Sequence, residues 1–156
     1  MSDEPVFHVA AESDSGPLLQ FMREYYAFDG HHFDEIKTPL ALSALLRDPA
    51  LGRVWLISDG EAPAGYIVLA FGYSLEWLGR DAFVDEFYLR KEYRGRGWGQ
   101  KTMAFVEDAA RAMNIAVLHL EVVQRNRSAL GPTRGWDSRH MRAHFCRKLL
   151  RGGKVN

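Results

Sequence analysis

The segment from Ala82 to Met113, AFVDEFYLRKEYRGRGWGQKTMAFVEDAARAM, constrains this chain more than any other. It reads as a strand, a glycine-rich turn and a helix. Phe83 to Leu89 is rich in aromatic and β-branched residues, the composition of a strand. The turn is Arg94-Gly95-Arg96-Gly97-Trp98-Gly99. Glycines on alternate positions allow dihedrals closed to other residues and a close approach of backbone to ligand. Met103, Val106, Ala110 and Met113 then share one helical face. The first N–H groups of such a helix have no partner within it and lie at the positive end of its dipole, so an anion suits them. Arg94 and Arg96 add positive charge. The turn therefore predicts a site for an anionic, phosphorylated ligand.

Three phosphate-binding patterns compete for this turn. A Walker A loop requires G-x-x-x-x-G-K-[ST], and Gly95 to Thr102 reads G-R-G-W-G-Q-K-T, with Gln100 where the second glycine belongs. A dinucleotide fingerprint requires G-x-G-x-x-G; starting from Gly95 or from Gly97, its last place falls on Gln100 or Thr102. The third pattern, [RQ]-x-x-G-x-[GA], is met by Arg94, Gly97 and Gly99. Here the chain resembles the GNAT superfamily of N-acetyltransferases, in which this pattern is the coenzyme A signature, between a strand and a helix as in this sequence.

Other features bound the partners. A length of 156 residues fits one domain, expected to span 1–156, with a sizeable core. Lys plus Arg equals Asp plus Glu at 20 each, which gives no support for a nucleic-acid or membrane-surface partner. No apolar run is long enough to span a bilayer. The single cysteine, Cys146, excludes an intramolecular disulfide, and MSDEPVFHVA lacks a signal pattern; a cytoplasmic location is expected.

Taken in order, residues 5–10 read as a strand and Ser13 to Pro17 as a capped helix start, with Leu18, Met22 and Tyr25 on the helix face. Phe28 to Lys37 reads as a loop, and Thr38-Pro39 opens a helix carrying Leu42, Leu45 and Leu46. Val54 to Ser58 and Tyr66 to Tyr73 form a hairpin across Asp59-Gly60. Ser74 to Asp81 is a loop, and Ala116 to Val123 is a strand after the long helix. Met141 to Leu150 is strand-like. This order resembles the GNAT fold, an α/β (α+β) architecture with a twisted, mixed, mostly antiparallel sheet and helices on both faces. Gly65 to Val68, Leu120 to Val123 with Asn126, and Gly135-Trp136 resemble further family landmarks. Trp77-x-Gly79 and Val84 to Leu89 are most similar to the diamine and polyamine (spermidine/spermine-type) acetyltransferases.

The resemblance implies a role for each matching residue. The backbone of Phe87, Tyr88 and Leu89 would lie along the pantetheine arm of acetyl-CoA, with an N–H near Leu89 on the thioester oxygen. The N–H groups of Gly95, Arg96, Gly97, Trp98, Gly99 and Gln100, beside Arg94, would take the pyrophosphate. Asn126 would meet the pantetheine or the reacting end. An amine that is cationic at neutral pH needs a base. Asp85 and Glu86 are adjacent on a strand, so they point to opposite faces, and either carboxylate suits the role. The sequence departs from the family at the general acid: after Asn126 and Ala129 come Leu130-Gly131-Pro132, with no tyrosine. Gly131-Pro132 should stop a helix there.

Substrate selection is expected from Tyr25, Tyr26, the loop with Asp29, His31, His32, Asp34 and Glu35, and Glu76 and Trp77, since carboxylates and aromatic faces together suit a cationic amine. Adjacent histidines are poor chelators without further placed ligands, so no metal is expected. The reading is acetyl transfer from acetyl-CoA to a primary amine of a small molecule, with a polyamine or diamine as the leading candidate, by direct attack in a ternary complex. Two alternatives stand beside it: an acetyltransferase for a protein N-terminus or lysine, and a non-catalytic acyl-CoA-binding domain. By analogy with the family, the chain is expected to form a homodimer.

Overall fold

The computed structural model describes residues 3–122 and the strands at 137–138 and 144–149. These fall into two compact units, one built from residues 1–69 and 86–93, the other from 70–85 and 94–156. Two long strands, β3 (Pro63–Ser74) and β4 (Gly79–Leu89), contribute residues to both.

In the first unit the strand order is β1-β2-β3-β4. Here β1 (Val6–Val9) runs antiparallel to β2 (Gly52–Ser58), with Val6 opposite Ser58 and Val9 opposite Trp55. The predicted turn between β2 and β3 is held by Asp59, whose carboxylate accepts the N–H groups of Glu61 and Ala62. Helix α1 (Ser15–Asp29) buries Leu18, Phe21 and Met22 on the expected face. Helix α2 (Lys37–Arg47) buries Leu42. Those four side chains form the core with Val54, Tyr66 and Val68, and Leu45 and Leu46 pack against it half-buried. Each large apolar side chain so buried contributes about 1.5–3 kcal/mol.

Both ends of α1 differ from the sequence reading. Asp14 precedes α1 but does not cap it; its carboxylate accepts the Ala11 N–H at 2.8 Å and closes a 3₁₀ turn over Glu12–Asp14. The loop predicted from Phe28 starts at Gly30, because this glycine takes φ +74° and allows its own N–H and that of His31 to close on the Tyr26 carbonyl.

In the second unit the order is β3-β4-β5-β7-β6. Helix α3 (Trp98–Ala112) links β4 to β5 (Val117–Val122), and these two strands are parallel, Asp81–Val84 lying opposite Val117–Leu120. A parallel pair needs a crossover of this kind. β6 (Asp137–Ser138) and β7 (His144–Leu149) add antiparallel neighbours. Trp98, Thr102, Met103, Val106 and Ala110 make the buried face of α3, and Met113 falls just past its end. Asn114 ends the helix with φ +60°, a conformation asparagine tolerates.

β4 starts four residues before the predicted strand. Arg80 and Asp81 look like turn residues, yet both are satisfied within the unit. The Arg80 carbonyl accepts the Ala116 N–H at 2.7 Å and its guanidinium lies 4.7 Å from the Phe71 ring centre. Asp81 pairs with His119 at 3.0 Å. Among the described residues no helix is long and apolar enough to cross a membrane.

Candidate active site

The glycine turn has the geometry its composition predicts. Gly95 takes φ +72° and Gly97 φ +80°, both left-handed. Among the described residues a Cβ at either would meet nothing within 4 Å, so these glycines serve the backbone path. Gly97 is the N-cap of α3 and, as a glycine, supplies no capping side chain of its own. The first N–H to close on the helix itself is that of Lys101, onto the Gly97 carbonyl at 3.1 Å. The N–H groups of Trp98, Gly99 and Gln100 precede that bond, as an anion site requires. Trp98 itself is fully buried, so its part in such a site is confined to its backbone; the indole anchors the helix start, and Thr102 donates its hydroxyl to the Trp98 carbonyl at 2.8 Å. Arg94 is exposed and Arg96 half-exposed, as side chains that meet a soluble anion must be.

The end of β4 is organised by the first unit. Gly65 lies so close to it that a Cβ there would fall 2.1 Å from the Tyr88 carbonyl oxygen. The Arg90 N–H donates to the Ala64 carbonyl at 2.9 Å. The Arg90 guanidinium grips the Glu24 carboxylate with Nε at 3.0 Å and Nη2 at 2.8 Å, while Tyr88 donates its hydroxyl to the same carboxylate at 3.2 Å. The hydrogen bonds from Arg90 hold Glu24 below the usual carboxylate range against the opposing effect of burial. α1 is thereby tied to the segment Phe87, Tyr88 and Leu89; Leu89 is buried, Phe87 and Tyr88 half-buried.

The two candidate bases have different surroundings. Asp85 is exposed. Glu86 is half-buried and accepts one phenol on each oxygen, Tyr26 at 2.5 Å and Tyr66 at 2.6 Å. Tyr66 is fully buried; burial, and then the adjoining Glu86 carboxylate, push its phenol far above the ordinary range, so it donates and does not ionise. Around this group Phe21, Tyr25, Tyr66 and Tyr88 form a ring-to-ring cluster with centroids 5.9–6.5 Å apart, and Tyr26 joins it against Tyr25 at 5.8 Å.

Tyr25 and Tyr26, predicted from sequence, thus join the Glu86 cluster. His32 is exposed in the loop after α1. Trp77 lies half-buried in the β3–β4 loop of the second unit, its N–H donating to Ser74 Oγ at 3.3 Å. Other loop residues have structural employment. Asp34 accepts the Ile36 and Lys37 N–H groups at 3.0 and 2.7 Å and caps α2, which lowers its pKa. Glu35 pairs with Arg23, and His31 lies 2.8 Å from Asp29. Among the described residues no group of three or more His, Cys, Asp and Glu is arranged to hold a metal. Asn126, and the segment at Gly131-Pro132 where the family tyrosine is missing, lie outside the described residues. Sequence reasoning missed Tyr66. The available signal was a tyrosine inside the apolar run from Ala64 to Leu69, since a buried phenol normally finds a partner.

Comparison with known proteins agrees with this geometry. The family model described as "Acetyltransferase (GNAT) family" matches residues 18–131. The thialysine N-epsilon-acetyltransferase of Bos taurus is 28% identical over 134 residues, covering 78% of this chain and 76% of that one. The crystal structure of an integron cassette protein, HFX_CASS3, from the mobile metagenome of Cole Harbour salt marsh superposes with a TM-score of 0.76 at 30% identity, covering 86% of each chain. The yncA acetyltransferase structure from Salmonella typhimurium, solved with its cofactor acetyl-CoA, shares the fold at a TM-score of 0.74 and 13% identity, covering 97% of this chain and 96% of that one. The family match takes in the α1 tyrosines, β4 with its acidic residues and the whole glycine turn, and the chain belongs to the GNAT family as an acetyl-CoA-dependent acetyltransferase.

Proposed function

We propose that this protein transfers the acetyl group of acetyl-CoA to a primary amine of a small molecule by direct attack, with Glu86 as the base. The observation that carries this reading is the Glu86 carboxylate, half-buried among tyrosines and oriented by two of them. Acetyl-CoA supplies the activated thioester. The N–H groups around Gly97 to Gln100, with Arg94 and Arg96, bind its pyrophosphate; the glycine N-cap of α3 and the left-handed backbone at Gly95 and Gly97 fit that group. Glu86 takes a proton from the ammonium. The amine nitrogen then forms its bond to the acetyl carbon as the carbon–sulfur bond breaks, and it loses its second proton to solvent, to which Glu86 also returns the first. The thiolate leaves and takes its proton from solvent.

Glu86 is preferred to Asp85 because a base must be held in place, and its two phenols do this. The substrate class rests on that carboxylate among aromatic faces, which suits an amine carrying positive charge, and on the relative named for the ε-nitrogen of thialysine. The test is thiol release from acetyl-CoA over a panel of thialysine, putrescine, spermidine and a lysine-containing peptide. Turnover with a small amine above the peptide supports the reading. Preference for the peptide assigns a protein acetyltransferase, and tight coenzyme A binding without turnover of any amine assigns a binding domain.

A further inference from the structure

The two phenols on Glu86 differ in a way the base assignment does not use. Tyr66 comes from the middle of β3 and is fully buried. Tyr26 is half-exposed and sits on the last turn of α1, one turn before Gly30. Helix ends open more readily than core strands. A carboxylate has about four lone-pair positions, so two phenols do not exhaust it, but a substrate ammonium arriving from solvent meets the oxygen that Tyr26 covers. Both phenol and ammonium are hydrogen-bond donors, and one can replace the other at that oxygen without leaving the carboxylate bare.

We propose that Tyr26 and Tyr66 are positioning residues with distinct duties: Tyr66 holds Glu86 throughout the cycle, whereas Tyr26 is the exchangeable partner that the substrate ammonium displaces. The inference rests on the assignment of Glu86 as base. Tyr26 thus keeps the carboxylate satisfied in the free enzyme and surrenders Oε1 when an amine binds. A quaternary ammonium, which has no N–H to donate, gains nothing from the exchange.

Among the described residues, the other charged and titratable groups near Glu86 have surroundings of their own. From α1, Glu24 is held by Arg90 at the end of β4. His31, in the loop after α1, meets the edge of the Tyr26 ring with centroids 6.5 Å apart and is itself 2.8 Å from Asp29. Asp85 is exposed on the opposite side of β4.

The test separates amine binding from turnover. With acetyl-CoA saturating and thialysine varied, Tyr26→Phe should lower the KM for the amine several-fold and leave kcat close to wild type, because the ammonium no longer has a phenol to displace. Tyr66→Phe should lower kcat about tenfold, the scale of one hydrogen bond to a charged group, because Glu86 loses the partner that orients it in the complex. An unchanged or raised KM in Tyr26→Phe overturns the exchange, and wild-type kcat in a folded Tyr66→Phe overturns its positioning role. Equilibrium binding of thialysine to the coenzyme A complex gives a readout independent of turnover, in which Tyr26→Phe should bind more tightly than wild type. Thermal melts show whether Tyr66→Phe stays folded, and Tyr26→Phe, half-exposed, stands if it does not. Glu86→Gln decides the underlying assignment: if it keeps wild-type kcat, the base itself is elsewhere, whereas its loss with an unmoved KM in Tyr26→Phe refutes the exchange alone.

Discussion

Two of the three carboxylates on β4 keep different company. Asp81, in the second unit, is 9% exposed and pairs with His119, 5% exposed, at 3.0 Å. The ring of Phe83 stacks on that imidazole at 4.4 Å, and β3 passes so near that a Cβ at Gly72 would fall 2.5 Å from Asp81 Oδ1. Glu86, in the first unit, is half-buried and bonded only to neutral donors among its described partners. The difference teaches how to tell a reactive carboxylate from a structural one. A sealed carboxylate with an ionisable partner can exchange a proton with that partner and with little else, so its contribution goes to the fold. One held by phenols, with lone pairs to spare and solvent on one side, is oriented yet available.

The largest expected effect follows directly. Glu86→Gln should lower kcat/KM by about 10²–10⁴ while leaving the melting temperature nearly unchanged, and Asp85→Asn should stay within about threefold of wild type, a mutational effect under 1 kcal/mol. Steady-state kinetics and a thermal melt on the same preparations check both halves. If Asp85→Asn takes the larger loss, the contrast drawn from burial is wrong. Asp81→Ala should behave in the opposite manner. It removes the carboxylate paired with a buried imidazole, costs about 2–3 kcal/mol of stability, and leaves kcat of the folded fraction close to wild type. Urea unfolding followed by activity at low denaturant measures this, and a large loss of kcat in a well-folded protein would make Asp81 part of the chemistry.

How far the sequence foretold these roles depends on the range of the interaction. The glycine turn was legible because its signal is local: Gly95 and Gly97 need no distant partner to take positive φ. The helix faces were legible for the same reason, through spacing. Asp81 looked like a loop residue because its partner is 38 positions away. Asp34, Glu35 and His31 looked like a substrate-facing group because composition does not reveal that a cap, a pair with Arg23 and a contact with Asp29 employ them. The choice between Glu86 and Asp85 was open for the same reason. Strand alternation puts the two on opposite faces, but only the fold brings Tyr26 from 60 residues away and Tyr66 from 20 to one of them.

The same distinction between reactant-facing and fold-serving residues applies to glycines and should give a smaller effect. Gly97→Ala must force a side chain into the left-handed region, at about 1–2 kcal/mol, and should weaken coenzyme A binding several-fold by moving the first amides of α3. Gly16, in the first turn of α1, has ordinary dihedrals and open space around it. Gly16→Ala should therefore leave binding unchanged and raise stability by about 0.4–1 kcal/mol. Isothermal titration with coenzyme A alongside thermal melts reads both. Equal losses of binding in the two variants would remove the turn from the site.

The smallest effects come from two ion pairs built alike. Arg90 lies 4.7 Å from the Phe21 ring centre and grips Glu24 with two nitrogens; Arg23 lies 4.6 Å from that of Phe33 and grips Glu35 with two nitrogens. In each, hydrogen bonds from the arginine hold the carboxylate below its ordinary value of 4.5. A depressed folded value means stability that is present above the ordinary value and lost as pH falls through the lower one. The surroundings differ: the Glu24 and Arg90 side chains are 31% and 26% exposed, those of Glu35 and Arg23 66% and 47%. Water and salt screen the second pair and leave it little net worth. Melting temperature followed from about pH 6 down to about pH 3 should therefore fall less steeply in Glu24→Gln than in wild type, and this difference should persist in 0.5 M salt, a concentration at which screening reaches only about 4 Å. Glu35→Gln should follow the wild-type curve at moderate salt. Equal flattening by both variants would mean that burial does not decide what an ion pair contributes here, and the contrast between Glu86 and Asp81 would lose its physical basis along with it.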